Sequence, residues 1–265
     1  MEKIIWQDEI NQIITKYSNY EGVDFLPKIV EELNLKVVIE GKDNLPENGR
    51  CVFVANHPFG FVDSLILTNT VAEKYGALRA IGNKLFMLVP NLQPITVSVN
   101  VFGKINKKNM LELDKLYASD FPITNFPHGV VSRIYKGKIQ DNDWQKSFIT
   151  KAISHKRDIV PIRFYGRNSR LFYFINIFRQ LFGIKTNIEL ALLPHEMFKK
   201  RNKTIKVKIG KPIPWQKFDK TLSHWDWAQK VRMHIYNFEL NSTNNPTFYD
   251  SDKHITNSIM QQSCK

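Results

Sequence analysis

A histidine and an aspartate, His57 and Asp63, stand at the end of an apolar run in the segment CVFVANHPFGFVDSLIL. The run is typical of a buried strand, and an apolar helical pattern begins at Asp63. A neutral histidine in such a loop can remove a proton from a hydroxyl when a carboxylate fixes its tautomer and stabilises the imidazolium. His57 is therefore a candidate general base and Asp63 its partner. The alternative is that Asp63 only caps the helix and His57 is an ordinary loop histidine.

A second polar loop, PHGVVSRIYKGK, follows the apolar run FPITNF. Gly129 allows another backbone or a ligand to come close, because it has no side chain. Arg133, Lys136 and Lys138 lie behind it, and their charges suit a phosphate or another anion. The alternative is a solvated basic turn.

Short apolar runs alternate with helical patterns over the central part of the chain. This alternation predicts an α/β fold with a mixed, largely parallel sheet flanked by helices. In such folds ligands gather at the loops after the carboxyl ends of strands, where both polar loops stand. The predicted strands are 51–55, 78–82, 95–101, 121–126, 158–164, 187–192 and 204–209, and the predicted helices are 63–75, 107–118, 143–154 and 170–182.

The chain of 265 residues is long enough to bury a substantial core, and we expect one globular unit. Residues 1–45 carry helical patterns and are interpreted as an N-terminal helical cap. Residues 46–240 form the predicted α/β domain, which ends in a helix capped by Ser223. Residues 241–265 are polar and lack periodicity, so we expect a loosely held tail.

Charge is the unusual feature of the composition. The chain has 38 lysine and arginine residues against 25 aspartate and glutamate residues, a formal net charge of +13. Such a protein is attracted to polyanions and anionic surfaces, including nucleic acid, an anionic membrane and phosphorylated substrates. The sequence has no zinc-finger, RNA-recognition or helix-turn-helix signature, so nucleic acid is not expected as a partner.

The cysteines and the N-terminus bear on location. Cys51 and Cys264 are the only two cysteines and suggest neither a disulfide framework nor a zinc site, so we expect a reducing cytoplasm and no bound metal. Acidic residues interrupt the apolar N-terminus, which does not look like a secretory signal. No run of about 18 uncharged apolar residues predicts a spanning helix, so any membrane contact is expected to be peripheral.

The segment NSRLFYFINIFRQLFGIK, residues 168–185, combines aromatic and apolar residues with Arg170, Arg179 and Lys185. One interpretation is an amphipathic helix that lies on an anionic membrane surface. The other is a helix that packs its aromatic side chains into the core. The sequence leaves both open.

Together, these segments resemble the glycerolipid acyltransferases of the lysophosphatidate type. NHPFGFVD and FPHGVVS are similar to the family's first and third blocks, Asn-His-x4-Asp and Phe-Pro-Glu-Gly-Thr-Arg-Ser. GNKLFMLVPNL is similar to its lysine-bearing segment, VFGKINKK to its second block and RDIVPIRFYG to its fourth. Five matches in order, over roughly residues 45–215, are much more specific than any one of them.

The resemblance implies a glycerol-3-phosphate acyltransferase-like fold and a bacterial O-acyltransferase of phospholipid or related polar-lipid synthesis, peripheral on the inner face of the membrane. His57 would be the general base on the acceptor hydroxyl, and Asp63 would hold its ring. The acyl donor would be a thioester of acyl carrier protein or coenzyme A, with no other cofactor and no metal. Backbone amides around Gly129 would stabilise the oxyanion. The residues expected to bind substrate are Asn56, Lys84, Lys104, Lys107, Phe126, Pro127, His128, Gly129, Ser132 and Arg133.

Three departures from the family pattern bear on the acceptor. Five residues, including Gly60, separate His57 from Asp63 where the family has four. His128 replaces the family's glutamate, and a Val-Val pair replaces its threonine and arginine. The second block ends in lysines, which lack the bidentate fork of arginine. These changes favour an acceptor other than lysophosphatidate, such as an acylated amino acid lipid or another lysolipid.

Two other functions stay open at the level of sequence. The changed third block favours a non-catalytic lipid-binding or anion-binding module of the same fold, whereas the intact His57 and Asp63 oppose it. A metal-dependent hydrolase could use His57, Asp63 and His128 as ligands.

Overall fold

The computed structural model describes residues 6–82, 89–98, 107–242 and Phe248 of the chain, and the side chains of residues 107–109 lie outside this description. Apolar runs at the centre of the chain become short strands. In chain order the strands are β1 (Lys36–Glu40), β2 (Val52–Ala55), β3 (Arg79–Gly82), β4 (Thr96–Ser98), β5 (Ile123–Asn125), β6 (Arg133–Tyr135), β7 (Lys138–Gln140), β8 (Ile159–Tyr165) and β9 (Thr204–Ile209).

Within the described residues, seven of these strands form one sheet in the order β1-β9-β8-β2-β5-β3-β4. β2 lies at the centre and pairs in parallel with β5 and β8. The β8–β9 pair is antiparallel, and β1 runs parallel to β9. The predicted mixed, largely parallel sheet is therefore confirmed. β6 and β7 form a separate antiparallel hairpin.

Helices cover the sheet and connect most of its strands. They are α1 (Gln7–Lys16), α2 (Phe25–Glu32), α3 (Phe61–Tyr75), α4 (Lys107–Ala118), α5 (Ser147–Ser154), α6 (Arg170–Leu181), α7 (Leu193–Phe198) and α8 (His224–Tyr236). Short 3-10 helices occupy Lys42–Asn44, Pro90–Ile95, Ile188–Leu192 and Trp215–Lys217. As predicted, Ser223 caps α8, its side chain accepting a hydrogen bond from the amide of Asp226.

The central strand β2 is buried on both faces. Phe53 and Ala55 pack in the core on the side of α1, α2 and α3, whereas Val52 and Val54 pack on the side of α5 and α8. Side chains alternate across a strand, so a strand with helices on both sides needs a continuous apolar run. The buried strand ends at Ala55, directly before Asn56.

Two parts of the sheet differ from the sequence expectation. The predicted strand 187–192 is wrong, because Ile188–Leu192 is a 3-10 helix that leads into α7. A short apolar run has no periodicity that distinguishes a strand from a helix. The segment assigned to the helical cap carries α1 and α2 but also β1, which pairs with β9. Most of the predicted tail, 241–265, lies outside the described residues.

Candidate active site

Asn56 follows β2 directly and closes the end of the sheet. Its side-chain amide donates to the carbonyl of Phe164 at 2.9 Å, and its Oδ1 accepts the Phe164 amide at 2.7 Å. The side chain is buried. We expected Asn56 to bind substrate. In the structure each of its polar atoms hydrogen-bonds to the backbone of β8, and substrate binding by Asn56 stays a prediction. Asn56 holds the loop that begins with His57.

His57 and Asp63 come together as the spacing predicts. Nδ1 of His57 lies 2.9 Å from Oδ1 of Asp63, at an angle short of a regular hydrogen bond. Such contacts are often poorly aligned without substrate and tighten when it binds. With Nδ1 turned to the carboxylate, Nε2 is the ring nitrogen left for a substrate proton. The ring of Phe126 stacks on the His57 ring at 4.2 Å between centroids and restrains its plane.

Asp63 lies in the first turn of α3 and is fully buried. Its Oδ2 accepts the amide of Phe59 at 2.8 Å, and its Oδ1 accepts the amide of Ser64 at 3.0 Å. A carboxylate at a helix N-terminus satisfies free amides and is favoured by the helix dipole. Asp63 is therefore not the N-cap residue, which is Gly60, yet it stabilises the helix start and orients His57.

The five-residue spacer between His57 and Asp63 turns into α3 at Gly60. The backbone of Gly60 has φ of 91° and ψ of −111°, a conformation that side chains disfavour. A Cβ atom there would lie 3.0 Å from Leu193 and 3.2 Å from Val131. The loop can bulge at this glycine while His57 and Asp63 stay in contact.

Asp141 joins the two polar loops and was missed in the sequence. It is fully buried, and its carboxylate accepts the hydroxyl of Ser132 at 2.5 Å, the amide of His57 at 3.3 Å and Nε1 of Trp144 at 2.9 Å. The amide of Ser132 in turn donates to the carbonyl of His57 at 2.8 Å. Asp141 therefore fixes the backbone of the His57 loop against the third block. Ser132, expected to bind substrate, is buried, and its hydroxyl binds Asp141.

His128 is a neighbour of this site whose side chain is largely enclosed. Nε2 of His128 accepts the amide of Asn142 at 3.3 Å, which places the proton on Nδ1, 3.8 Å from Asp141 Oδ1. Burial lowers the pKa of His128, and this outweighs the opposite effect of Asp141. His128 therefore does not supply positive charge to bind an anion near neutral pH.

Residues Phe126 to Gly129 form a tight turn. The amide of Gly129 donates to the carbonyl of Phe126 at 2.9 Å, and Gly129 has φ of 77°. The Gly129 amide therefore closes the turn, and oxyanion binding by backbone amides around Gly129 stays a prediction. The buried Pro127 accepts the amide of Gln145 at its carbonyl, at 3.0 Å.

Arg133 forms an ion pair with the buried carboxylate of Glu189. Its Nε and Nη2 lie 3.1 and 3.0 Å from Oε1 of Glu189, and its Nη1 donates to the carbonyl of Val131 at 2.6 Å. Glu189 is fully buried, and its Oε2 lies 3.0 Å from Nε of Arg179 in α6. The guanidinium of Arg133 therefore links the loop after the third block to α6, and its contact with substrate stays a prediction.

The remaining predicted lysines lie at the edge of what the structure describes. Lys84 and Lys104 fall outside the described residues, and Lys107 begins α4 with its side chain outside the description. Within the described ranges, no three His, Cys, Asp or Glu side chains come together as a metal-ligand group.

Glu189 and Asp141 carry different sequence signals. Glu189 is the one acid in the apolar stretch IELALL, which could have indicated a buried, paired carboxylate. Asp141 stands in the polar segment QDND, where nothing distinguishes it from its neighbours.

Comparison with known proteins gives concordant results. The profile of a family described as "Acyltransferase" matches residues 1–245. The chain is 42% identical over 237 residues to a lyso-glycine lipid O-acyltransferase of Phocaeicola vulgatus, covering 89% of this chain and 85% of that protein. It is 41% identical over 237 residues to a protein of the same name from Bacteroides thetaiotaomicron, covering 89% and 87%.

The fold also matches a solved structure, the 1-acyl-sn-glycerophosphate acyltransferase PlsC of Thermotoga maritima. The TM-score is 0.50 at 15% identity, over 83% of this chain and 82% of that one. Similarity at this identity supports the fold, whereas the family profile and the two closer relatives extend over nearly the whole chain. This protein belongs to the acyltransferase family.

Proposed function

We propose that this protein transfers an acyl group from a thioester to the free hydroxyl of a lyso-glycine lipid. We choose this acceptor because two relatives, at 42% and 41% identity over 237 residues, are named lyso-glycine lipid O-acyltransferases. The chemistry is supported by the His57–Asp63 pair at the carboxyl end of the central strand. The intact pair, in a family of enzymes, also weighs against a non-catalytic binding module.

In the proposed reaction, Nε2 of His57 takes the proton of the acceptor hydroxyl as its oxygen attacks the thioester carbonyl carbon. The tetrahedral adduct then collapses, the C–S bond breaks, and the leaving thiolate takes the proton back from His57. The products are an ester and a free thiol. Asp63 contributes by stabilising the imidazolium between these two steps, because its buried carboxylate lies beside Nδ1.

The third block supports an acceptor other than lysophosphatidate. The Arg133 guanidinium is paired with Glu189, and burial keeps His128 neutral. Within the described loop from Phe126 to Arg133, the side chains therefore offer no free positive charge to a phosphate. An acceptor recognised mainly through its acyl chain and hydroxyl fits this loop better.

The donor is proposed to be acyl carrier protein or coenzyme A. Both present the acyl group on a phosphate-bearing pantetheine arm, which a protein with a net charge of +13 attracts. We further propose that the reaction takes place at the inner face of a bacterial membrane, with the protein bound peripherally. Among the described helices, none has the length and apolar character needed to cross a bilayer.

The test is acyl transfer by the purified protein, measured by mass spectrometry of the lipid products. Each donor is offered with lyso-glycine lipid and, separately, with lysophosphatidate, using wild type and His57→Ala. We expect O-acylated glycine lipid from wild type only, and little acylation of lysophosphatidate. Faster acylation of lysophosphatidate would contradict the acceptor, and full activity of His57→Ala would contradict the mechanism.

A further inference from the structure

An apolar surface on α6 stays uncovered in the folded protein. Eight of the sixteen large apolar side chains that are exposed in the described part of the chain lie between residues 171 and 188. Six of them form what we call the α6 apolar face: Leu171, Phe174, Ile177, Phe178, Leu181 and Phe182. Phe174, Leu181 and Phe182 are 64%, 78% and 66% exposed, so this surface is not a core stripe.

The opposite side of the same helix is the part that belongs to the core. Phe172, Tyr173 and Asn176 are buried, and Phe172 and Tyr173 pack with Val131 of the third block. The helix therefore has two apolar sides where a surface helix of a globular protein needs one. No described part of the chain covers the second side.

Positive charge borders the apolar face. Residues 159–188 include five arginines and lysines and no acid. Arg167 and Arg170 before the helix face and Lys185 after it are exposed. The acid that follows, Glu189, is buried between Arg133 and Arg179 and so adds no exposed negative charge. Apolar side chains flanked by cations, without acids, match a surface of anionic headgroups over hydrocarbon.

We infer that the α6 apolar face docks on an anionic lipid bilayer and holds the active site against it. The inference deepens the proposed function, on which it rests, since the acceptor must be reached from a membrane. A bilayer is favoured over a second copy of the chain because residues 159–188, which carry the face, contain five cations and no acid, and two such segments would repel each other.

The docked helix is joined to the active site through Glu189. Arg179 and Asn176 of α6 and Arg133 of the third block all contact its carboxylate. Ser132, next to Arg133, hydrogen-bonds to the backbone of His57. A short chain of contacts therefore fixes the distance between the bilayer surface and the catalytic histidine.

The test measures vesicle binding and activity separately. Wild type is sedimented with vesicles of phosphatidylcholine containing about one-third phosphatidylglycerol, and with pure phosphatidylcholine vesicles. The variant Phe174→Ser/Phe178→Ser/Phe182→Ser removes the aromatic part of the face. A control, Met110→Ser/Leu111→Ser/Trp225→Ser, removes three exposed apolar side chains from other helices. Thermal melting checks that each variant is folded.

We expect the Phe variant to lose vesicle affinity by at least about 100-fold, because three phenyl rings no longer enter the bilayer. The control should bind like wild type. Arg170→Glu/Lys185→Glu should weaken binding to the phosphatidylglycerol vesicles and abolish their advantage over phosphatidylcholine. In detergent micelles, where no bilayer has to be reached, the Phe variant should acylate lyso-glycine lipid at the wild-type rate.

Three results would overturn the inference. One is a folded Phe variant that binds vesicles as wild type does, and another is a control that loses as much affinity. The third is a wild type that dimerises through this face, shown by a Phe variant that becomes monomeric with unchanged vesicle binding. A wild type that binds vesicles but acylates no lysolipid would instead contradict the proposed function and leave the docking surface standing.

Discussion

At the scale of single residues, the proposed general base, His57, is held from two sides. Asp63 lies 2.9 Å from Nδ1 of His57, and Phe126 stacks on the ring. Asp63 also accepts two backbone amides at the start of α3. These bonds compensate for its burial, since no lysine or arginine in the described part of the chain pairs with it. In the proposed mechanism, one carboxylate thus stabilises the helix start and orients the base.

We predict that Asp63→Asn lowers kcat by about 100-fold or more while the protein stays folded. Asparagine keeps an oxygen that can accept a helix amide, but it has no charge to stabilise the imidazolium. The measurement is kcat for lyso-glycine lipid acylation, with thermal melting as the check on folding. Full activity in this variant would mean that Asp63 only stabilises the helix start.

Asp141 offers a second prediction at this scale. Asp141→Asn weakens a carboxylate that accepts the Ser132 hydroxyl, the His57 amide and the Trp144 indole. We expect the free energy of unfolding to fall by about 1–3 kcal/mol, because buried donors lose their partner. We also expect kcat to fall, because the His57 loop loses its anchor.

The control for Asp141→Asn is Ser132→Ala, which removes one of these bonds and leaves the His57 contact. Ser132→Ala should lower the free energy of unfolding by about 1 kcal/mol and keep most of the activity. An Asp141→Asn protein that loses stability but keeps wild-type kcat would show that Asp141 supports the fold alone.

At the scale of elements, the path from β2 to α3 decides whether His57 and Asp63 meet. Asn56 ties the end of β2 to β8, and Gly60 turns the chain into α3 with φ of 91°. With five residues between them, His57 and Asp63 are in contact, and the chain reaches Asp63 through a turn in a glycine conformation.

We predict that Gly60→Ala destabilises the protein by about 1–3 kcal/mol and reduces activity, because the backbone is strained and the new Cβ meets Leu193 and Val131. Gly76→Ala, at the other end of α3, is a matched control. Gly76 also has positive φ, 72°, but a Cβ there would meet no atom within 4 Å.

The control, Gly76→Ala, should lower the free energy of unfolding by about 1 kcal/mol and leave kcat unchanged. Kinetics and thermal melting of both variants separate general strain from an effect on the site. Equal effects of the two substitutions on kcat would show that the Gly60 turn does not position Asp63.

The packing of residues 168–185 is also decided at the scale of elements. The sequence left a membrane helix and a core helix as alternatives, and α6 has features of both. Phe172 and Tyr173 are buried against the third block, while Phe174 and Phe178 point away from it and are exposed. Helical periodicity alone could not decide this, because both sides of the helix are apolar.

At the scale of the whole molecule, buried histidines make stability depend on pH. His234 in α8 packs against Phe238 and Phe248, and burial lowers the pKa of His234 to about 4, from an ordinary value of 6.5. Below pH 6.5 the unfolded chain takes up a proton that the folded chain does not. The stability that the folded protein gains from a neutral His234 is therefore complete above pH 6.5 and is lost as the pH falls toward 4.

We predict that His234 alone lowers the free energy of unfolding by about 2 kcal/mol as the pH falls from 6.5 to 5. Urea unfolding of wild type and His234→Phe at several pH values measures it. The variant should lose less stability over this range, although it keeps the contribution of His128, whose pKa is also lowered. Identical pH slopes in the two proteins would contradict the prediction.

Features set by local order in the chain were visible in the sequence. The continuous apolar run before Asn56 indicated a central strand, and the strand-end position of His57 and Asp63 indicated a proton-transfer pair. The positions of α3, α4 and α8 also followed from periodicity and capping, since helix formation depends on residues three and four apart. The sheet class followed from the alternation of strands and helices.

The partners of buried polar groups were decided only by tertiary structure. Arg133 and Glu189 are 56 residues apart, and the backbone amide of Asp141 binds the hydroxyl of Tyr236, 95 residues further on. β1 lies beside β9 for the same reason. Residue type and spacing express local preferences, whereas a charge finds its partner only after the sheet has brought distant segments together. This is why the contact between His57 and Asp63 was predictable and the pairing of Arg133 with Glu189 was not.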